Sequence, residues 1–499
     1  MTRRRPWLVV VALLAVFSLV VVACGDDDAE TTTTAAETTT TAEATTTTAE
    51  VTTTTAATTT TEAPAELLFD VGVTLEPCPD SPNPDNGCIY LGNLSDFSGA
   101  FATQGPLLGW GHEDFWNRVN EAGGIGVEGA MFDVAITAEN TCDTGYVSEQ
   151  HVACYEQIRG NVAALAETLG TTQTLAALPL FIEDDTVASV STWYSGWSFP
   201  EIDSGLIFET GTNYCFEAMN GFDFAVGAML QAGVPANDAG VPQFTYAIVY
   251  FPGDYGGDYG FGAKYAASQY GLGDPIAEVP IIPISAGGTM DEAVATLVAA
   301  KPNVIFLPVA PVELATIMGG VYGGGHQTAM YIGAGPTWNT GLLAQEALVP
   351  LLQAAYFQTA YWLPWMTDSP GHTAMRAAAE AAERPPQAAS AAYSAGWTMQ
   401  YPIKAALESA IANGDLTRAG IAAAASQLTD VDYEGMLPNR GFAGTAAEDA
   451  WRGITVNGVV PENPDGLASV MPGPDAAEIW TGPTAAAYDF AAPCTILGG

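Results

Sequence analysis

The sequence predicts an α/β protein with two lobes, each a doubly wound parallel sheet covered by helices. From about residue 66 onward, short apolar runs typical of buried strands alternate with amphipathic stretches typical of helices. That alternation is characteristic of parallel sheets with helices on both faces. It breaks at residues 233–244 and then restarts, which indicates a second sheet. Of the 499 residues, 48% are hydrophobic, enough to build a core for each lobe.

The first series of elements begins at residue 89. Leu108, Phe115 and Val119 recur on one face of a helix that Gly123 and Gly124 end. The predicted elements of this series are strands at 89–94 and 131–137, helices at 104–122, 148–159 and 213–232, and further strand-like runs at 161–166 and 186–190.

The second series follows the break and has the same rhythm. Its predicted strands are 246–251, 279–284, 304–309, 330–332 and 354–359, and its helices lie near 259–270, 291–300 and 311–322.

The N-terminus has the features of an export signal. Three arginines at positions 3–5 precede an apolar run over residues 7–23, and Val-Val-Ala-Cys ends at Cys24. This resembles the lipobox of bacterial lipoproteins, which implies a signal peptide over 1–23 and a lipidated Cys24 that anchors the chain to a membrane. An ordinary cleaved signal peptide and an uncleaved anchor are the alternatives. Residues 24–65, almost entirely Thr, Ala and Glu after Asp26–Asp28, predict a disordered tether, and a glycosylated stalk is its alternative.

Six cysteines remain if Cys24 is lipidated. An even number in an exported chain predicts three disulfides, although six cysteines allow about 15 pairings. Sequence proximity favours Cys78 with Cys88 and Cys142 with Cys154, which leaves Cys215 with Cys494. A zinc site is the competing interpretation, but no Cys-x-x-Cys pair occurs and the four histidines lie at no ligand spacing. We therefore expect no metal and no cofactor.

Composition and motifs exclude other classes of function. The formal net charge is −43, and Lys264, Lys301 and Lys404 are the three lysines, so binding to nucleic acid is not expected. No Gly-x-Ser-x-Gly, His-Glu-x-x-His or P-loop motif occurs. The Gly-x-Gly-x-x-Gly at 124–129 follows a helix instead of a strand, which predicts a turn. Residues 80–87 lack the Glu that closes a calcium loop. The sequence therefore predicts that the protein is not an enzyme.

Several motifs, in order along the chain, carry a family resemblance. They are Leu-Ser-Asp-Phe-Ser-Gly-Ala-Phe-Ala-Thr-Gln-Gly at 94–105, Asn-Arg-Val-Asn-Glu-Ala-Gly-Gly-Ile at 117–125, Asp-Tyr-Gly-Phe-Gly at 258–262, Ala-Tyr-Ser-Ala-Gly at 392–396 and Pro-Asn-Arg-Gly-Phe at 438–442. Together they resemble the branched-chain amino-acid (Leu/Ile/Val)-binding family of ABC-transporter solute receptors, the type I periplasmic binding proteins. The resemblance spans about residues 89–455.

The resemblance implies a Venus-flytrap architecture in which three chain crossings form the hinge between the lobes. The first lobe would comprise residues 66–243 and a return over 367–428. The second would comprise 244–366 and its completion over 429–499. It also implies a monomer that holds a small-molecule solute, is anchored on the outer face of the bacterial plasma membrane and meets an ABC permease there.

Candidate ligand contacts come from the loops that follow the strands, because ligands of open parallel sheets bind beyond the carboxyl ends of the strands. By position in the family, Gln104 takes the place of a ligand-facing aromatic residue, and Tyr259 is the tyrosine before Gly-x-Gly. Where the family usually has a Glu that accepts the ligand's ammonium, this chain has Ala354-Ala355. The full predicted set is Ser98, Gln104, Gly170, Thr171, Thr172, Ser191, Thr192, Trp193, Tyr259, Trp338 and Gln358.

The chemistry of these loops predicts the class of solute. They contain no Lys or Arg, whereas they offer aromatic surfaces and neutral hydroxyl and amide groups. A small neutral or zwitterionic organic solute, amino-acid-like or amide-like, is therefore expected. A sensory or accessory binding protein of the same fold is the alternative function, and an exported enzyme with a site of unknown type is a third.

Overall fold

A computed structural model of the protein describes residues 67–473 and 479–497. The predicted signal peptide, Cys24 and the tether lie outside the described residues. Residues 67–231 form, in chain order, β1 (Leu68–Phe69), β2 (Val73–Thr74), β3 (Gly87–Ser95), α1 (Gly105–Glu121), β4 (Ile125–Val127), β5 (Ala130–Asp143), α2 (Ser148–Ile158), β6 (Ala164–Thr168), α3 (Thr171–Glu183), β7 (Ala188–Val190), α4 (Pro200–Asp203), β8 (Ile207–Glu209) and α5 (Tyr214–Gln231).

The chain then forms a second series and a return. These elements are β9 (Tyr246–Tyr250), α6 (Tyr255–Gln269), β10 (Ala277–Pro280), α7 (Asp291–Ala300), β11 (Val304–Leu307), α8 (Pro311–Gly323), β12 (Met330–Gly333), α9 (Val349–Ala355), β13 (Tyr356–Ala360), α10 (Pro370–Ala381), α11 (Ala391–Thr398), α12 (Gln400–Asn413), β14 (Asp415–Leu416), α13 (Arg418–Ala425), α14 (Ala446–Asp449), β15 (Thr455–Val459), β16 (Leu467–Met471) and α15 (Pro483–Ala487).

Two seven-stranded sheets organise the described residues, as predicted. The first has the order β4-β5-β3-β6-β7-β8, with β2 paired to β3, and the second has the order β10-β9-β11-β12-β13-β15-β16. The central strands of both sheets pair in parallel. Antiparallel pairs occur where β4 meets β5, β2 meets β3, and β15 meets β13 and β16. Both sheets are therefore mixed, where the sequence predicted purely parallel ones.

The first boundary between the lobes lies before α5. The sequence had placed it after this helix, at residue 243. The ring of Phe222 in α5 lies 5.2 Å from that of Tyr246 in β9 and 5.5 Å from that of Phe306 in β11, so this helix packs on the second sheet. The sequence break at 233–244 marks the end of a helix. Periodicity locates an element but does not tell which core buries it.

The last boundary also differs from residue 429. Val431, Tyr433 and Leu437 pack in one core with Phe115 and Trp397, which belong to the first lobe. The chain therefore joins the second sheet only at β15. The turn around residues 438–442 lies against the first lobe, since the ring of Phe442 is 4.6 Å from that of Phe208 in β8.

Two predicted elements have shifted bounds for local reasons. The predicted strand 279–284 ends at Pro280, and Ile284 begins a 3-10 helix instead. Pro280 and Pro283 have no N–H to donate to a sheet. Helix α6 begins at Tyr255 rather than 259, because the Asp254 carboxylate accepts a hydrogen bond from the Tyr255 N–H at 2.7 Å and caps the helix despite its glycines.

The three predicted disulfides are confirmed. Cys78 pairs with Cys88, Cys142 with Cys154, and Cys215 with Cys494. Within residues 67–473 and 479–497, no helix has the length and apolar character needed to cross a bilayer. The same residues contain no cluster of three or more His, Cys, Asp or Glu side chains suited to a metal ion.

Candidate functional site

The two sheets enclose a small cavity between their carboxyl ends, with about 30 Å³ of space open to a water molecule. The first lobe contributes residues that follow β3, β5, β6 and β7, and the second contributes residues that follow β9, β12 and β13. Loops converge at this edge of parallel sheets, which is where their ligands bind.

Helices α1 and α11 complete the cavity wall on the first lobe. A Cβ on Gly111 of α1 would lie 2.4 Å from the Tyr393 carbonyl oxygen, and one on Gly396 of α11 would lie 2.2 Å from that of Leu108. Glycine at both positions therefore allows the helix backbones to touch. This contact brings Ala392 and Ala395 to the cavity surface beside Leu108.

Seven of the 17 residues that line the cavity are aromatic. The ring centroids of Trp193 and Tyr361 are 3.9 Å apart, and those of Tyr214 and Tyr255 are 4.8 Å apart. Phe101 meets Tyr146 edge to face at 4.9 Å. Among the described residues that line the cavity, none is Lys, Arg, His, Asp or Glu.

Hydrogen bonds join the lobes across the rim of the cavity. The Gln104 amide donates to the Pro336 carbonyl at 2.5 Å, and the Asn339 amide donates to the Thr103 carbonyl at 3.1 Å. The Tyr146 hydroxyl donates to the Asp254 carboxylate. The structure therefore has the lobes closed on each other.

The N-terminus of α3 faces the cavity, and the carboxylate of Asp254 lies beside it. Gly170, which precedes the helix, has φ of +97°, a conformation that glycine adopts without strain. Burial raises the pKa of Asp254, and hydrogen bonds from the Tyr146 hydroxyl, the Tyr255 and Thr172 N–H groups and the Thr171 hydroxyl oppose that rise. Asp254, on the second lobe, thus lies at the N-terminus of a first-lobe helix.

A buried polar layer lies beneath the first-lobe wall. The Ser191 hydroxyl donates to Glu167 Oε1 at 2.7 Å, and His112 Nδ1 lies 3.8 Å from Glu167 Oε2. Burial raises the pKa of Glu167 to about 8 and lowers the pKa of His112 to about 3. Both shifts favour the neutral forms of these side chains.

A second buried acid lies behind the cavity on the other lobe. Glu217 Oε1 accepts hydrogen bonds from the Gly335 N–H at 2.6 Å and the Thr359 hydroxyl at 2.7 Å. Burial raises the pKa of Glu217 to about 8. These bonds connect α5 to the loop after β12 and to β13, and so hold part of the second-lobe wall in place.

Comparison with known proteins identifies the family. The family model described as "Periplasmic binding protein" matches residues 89–455. The chain belongs to this family. The resemblance to the Leu/Ile/Val-binding type I proteins is confirmed, and the protein is of the ABC-transporter solute-binding type. No protein of curated function matches the sequence significantly.

Solved structures share the fold of this periplasmic binding protein. A fatty acid ABC transporter substrate-binding protein from Thermomonospora curvata is 24% identical with a TM-score of 0.71, covering 86% of this chain and 98% of its own. A branched-chain amino acid ABC transporter protein from Thermus thermophilus with bound valine is 14% identical, with a TM-score of 0.63 and coverage of 80% and 98%. A solute-binding protein from R. palustris in complex with 4-hydroxybenzoate is 16% identical, with a TM-score of 0.58 and coverage of 76% and 95%.

Six of the predicted contact residues lie together on the cavity wall of this binding protein. All six are on the first lobe, where the predicted loops follow β3, β6 and β7: Gln104, Gly170, Thr171, Ser191, Thr192 and Trp193.

The other five predicted residues lie away from the wall. Tyr259 is fully buried in the second core, with its ring 6.4 Å from that of Phe306. Trp338 stacks on Tyr356, and the Gln358 amide donates to the Ala334 carbonyl at 2.6 Å. Ser98 is exposed in its loop, and Thr172 is half-buried with its hydroxyl bonded to Gln173.

The structure adds four tyrosines and a tryptophan that were not in the predicted set: Tyr146, Tyr214, Tyr255, Tyr361 and Trp362. Tyr255 follows β9, and Tyr361 and Trp362 follow β13, two strands that the sequence pattern predicted. Tyr146 follows β5, and Tyr214 is the first residue of α5. All five could have been predicted from one signal in the sequence, an aromatic residue within a few positions of a strand end.

Proposed function

We propose that the protein is a lipid-anchored receptor on the outer face of the plasma membrane that captures a small neutral or zwitterionic organic solute, amino-acid-like or amide-like. It holds the solute between its lobes and delivers it to an ABC permease. The observation that carries this proposal is the closed, aromatic-lined cavity between the lobes, whose wall has no charged side chain among the described residues.

The wall suits a solute with an apolar or aromatic part. Trp193, Tyr214 and Tyr361 offer flat surfaces, and an aromatic contact adds about 0.5–1.5 kcal/mol beyond the area that it buries. A multiply charged anion would lose its water without meeting a cation, at a cost of several kcal/mol. The valine named for one structure of the same fold combines a small size with an apolar part.

Thermal-shift screening of the purified full-length protein, with mass spectrometry of co-purified compounds, tests this proposal. Solute at about 100 times its Kd should stabilise the protein by about 2.7 kcal/mol, a rise of a few degrees in Tm. If sulfate, phosphate or a dicarboxylate gave the largest rise in Tm, the proposal of a neutral or zwitterionic solute would be contradicted. Uptake of the identified solute by vesicles that contain the permease then tests delivery, and a protein that binds without supporting uptake would favour the sensory or accessory function.

A matched pair of variants tests the location of the site. Thr192→Val removes a hydroxyl from the cavity wall at constant shape. Thr210→Val removes one that is buried off the wall and has no partner among the described residues. We expect the first variant to reduce the thermal shift and the second to leave it unchanged.

A further inference from the structure

Several side-chain hydrogen donors around the cavity are already used by the protein itself. The Gln104 amide nitrogen lies 2.5 Å from the Pro336 carbonyl oxygen and 3.5 Å from that of Trp338. Trp193 Nε1 donates to the Thr210 carbonyl at 3.0 Å, and the Ser191 hydroxyl donates to Glu167 at 2.7 Å. None of these hydrogens is free to meet a solute.

The hydroxyls near α3 follow the same pattern. Tyr146 donates to Asp254, and the hydroxyls of Thr171 and Thr192 are hydrogen-bonded to each other. Either of these two hydroxyls can donate to the other, so at least one of their hydrogens is used within the wall.

The polar surface left for a solute consists mainly of oxygen lone pairs. A Gln amide whose N–H groups are engaged offers only Oε1, and a Ser or Thr hydroxyl that donates its hydrogen can still accept. Tyr255 and Tyr361, 1% and 2% exposed, add hydroxyls without a partner among the described residues, and a phenol oxygen accepts as well as donates. Around these acceptors stand aromatic faces, which attract cations and polarised N–H groups.

We propose that the cavity recognises its solute through a nitrogen-bound hydrogen donor, an ammonium or a carboxamide N–H group on an apolar body, and selects against a carboxylate that carries no such donor. This inference rests on the proposed function and names the head group that the same site takes. A carboxylate without such a donor would face the lone pairs of the Ser191 hydroxyl and of Gln104 Oε1, and it would compete with Asp254 for the start of α3. The two free tyrosine hydroxyls would be its main side-chain donors, with no cationic side chain on the wall to balance its charge.

Isothermal titration of the full-length protein with three compounds that share one apolar body tests the head group. The probes are 2-phenylethylamine, 3-phenylpropionamide and 3-phenylpropionate, with octanoate as a carboxylate of different shape. We expect the amine or the amide to bind at least tenfold more tightly than either carboxylate. Equal or tighter binding of a carboxylate would overturn the proposal while leaving a solute-binding function intact. If none of the four binds, the head-group proposal also fails, and the wider thermal-shift panel shows whether solute binding fails with it.

Two variants locate the source of the selectivity. Asp254→Asn keeps a helix cap and a similar shape but removes the carboxylate, so the amine-to-carboxylate affinity ratio should fall by about tenfold. Asp238→Asn, at an exposed position, is the matched control and should leave the ratio unchanged. Because Asp254 is 5% exposed, its variant is first checked for an unchanged fold by circular dichroism.

Ser191→Ala gives an independent answer if Asp254→Asn does not fold. Loss of the Ser191 acceptor should lower the affinity for the amine or the amide by several-fold and leave the affinity for the carboxylates unchanged. A ratio that neither variant alters would contradict the assignment of acceptors at this wall.

Discussion

The hydroxyl of Tyr146, on the first lobe, donates a hydrogen bond to the carboxylate of Asp254, at the start of α6 on the second lobe. Because the acceptor also caps α6 and lies at the start of α3, one buried carboxylate connects the N-termini of two helices on opposite lobes. Such a bond forms only when the lobes are closed, so it contributes directly to the equilibrium between open and closed forms.

Tyr146→Phe should shift this equilibrium toward the open form. A hydrogen bond to a charged group contributes about 1.5–3 kcal/mol, so solute affinity should fall by about tenfold or more. Small-angle scattering should show a larger radius of gyration for the solute-free variant than for the wild type. Tyr322→Phe, at an exposed position on α8, is the control. An unchanged affinity and radius for Tyr146→Phe would show that the bond does not govern closure.

Removal of the Cys215–Cys494 disulfide should destabilise the protein more than removal of Cys78–Cys88. The first bond closes a loop of 279 residues and the second a loop of 10, and the chain-entropy model gives roughly 5 kcal/mol and about 2–3 kcal/mol respectively. Urea unfolding of the two Cys→Ser double variants measures the difference. The reverse order of stability would mean that native-state contacts, not loop closure, dominate.

Tyr259→Ala should lower stability without acting selectively on the solute. The fully buried ring packs in the second core, and loss of a large core aromatic costs about 3–5 kcal/mol of unfolding free energy. Tyr259→Phe keeps the ring and should remain close to the wild type in Tm. Calorimetric melting with and without solute separates the two effects: the solute-induced rise should persist in both variants that fold. Loss of the rise in Tyr259→Phe would place this residue in the site.

Glu217→Gln should stabilise the protein at high pH and have little effect at low pH. Burial raises the pKa of Glu217 from 4.5 to about 8, so folding favours its protonated form. Its contribution to stability is therefore fully present below about pH 4.5 and is lost as pH rises toward about 8. Gln resembles the protonated acid and escapes that loss, which we expect to amount to a few kcal/mol. The difference in Tm between variant and wild type should grow from pH 4.5 to pH 8, whereas that of the exposed Glu292→Gln should stay constant.

Cys24→Ala tests the proposed lipid anchor. Lipidation of Cys24 would hold the mature chain at the membrane through two acyl chains, so the variant should move to the soluble or secreted fraction. Fractionation after a salt wash, with the wild type beside it, measures the distribution. Retention of the variant in the membrane fraction would contradict the lipoprotein hypothesis.

Local patterns in the sequence were sufficient for much of the fold. Strand–helix alternation predicted two sheets, and the motifs at 94–105 and 117–125 identified the family, because hydrophobic periodicity and turn glycines report directly on buried faces and chain reversals. An even number of cysteines and their spacing led to the correct three disulfides. The strand-end rule also brought Gln104, Thr171 and Trp193 to one cavity.

Tertiary structure alone decided which residues share a core and which face the cavity. Tyr255 and Tyr259 lie on the same face of α6, about 6 Å apart along its axis. Only Tyr255, at the start of the helix, reaches the cavity, and Tyr259, one turn later, packs in the second core. Helix α5 packs on the second sheet, and its amphipathic pattern shows only that one face is buried, not which sheet buries it. The meeting of Asp254 with Tyr146, 108 residues earlier in the chain, depends on how two folded lobes close, and no local periodicity encodes that distance.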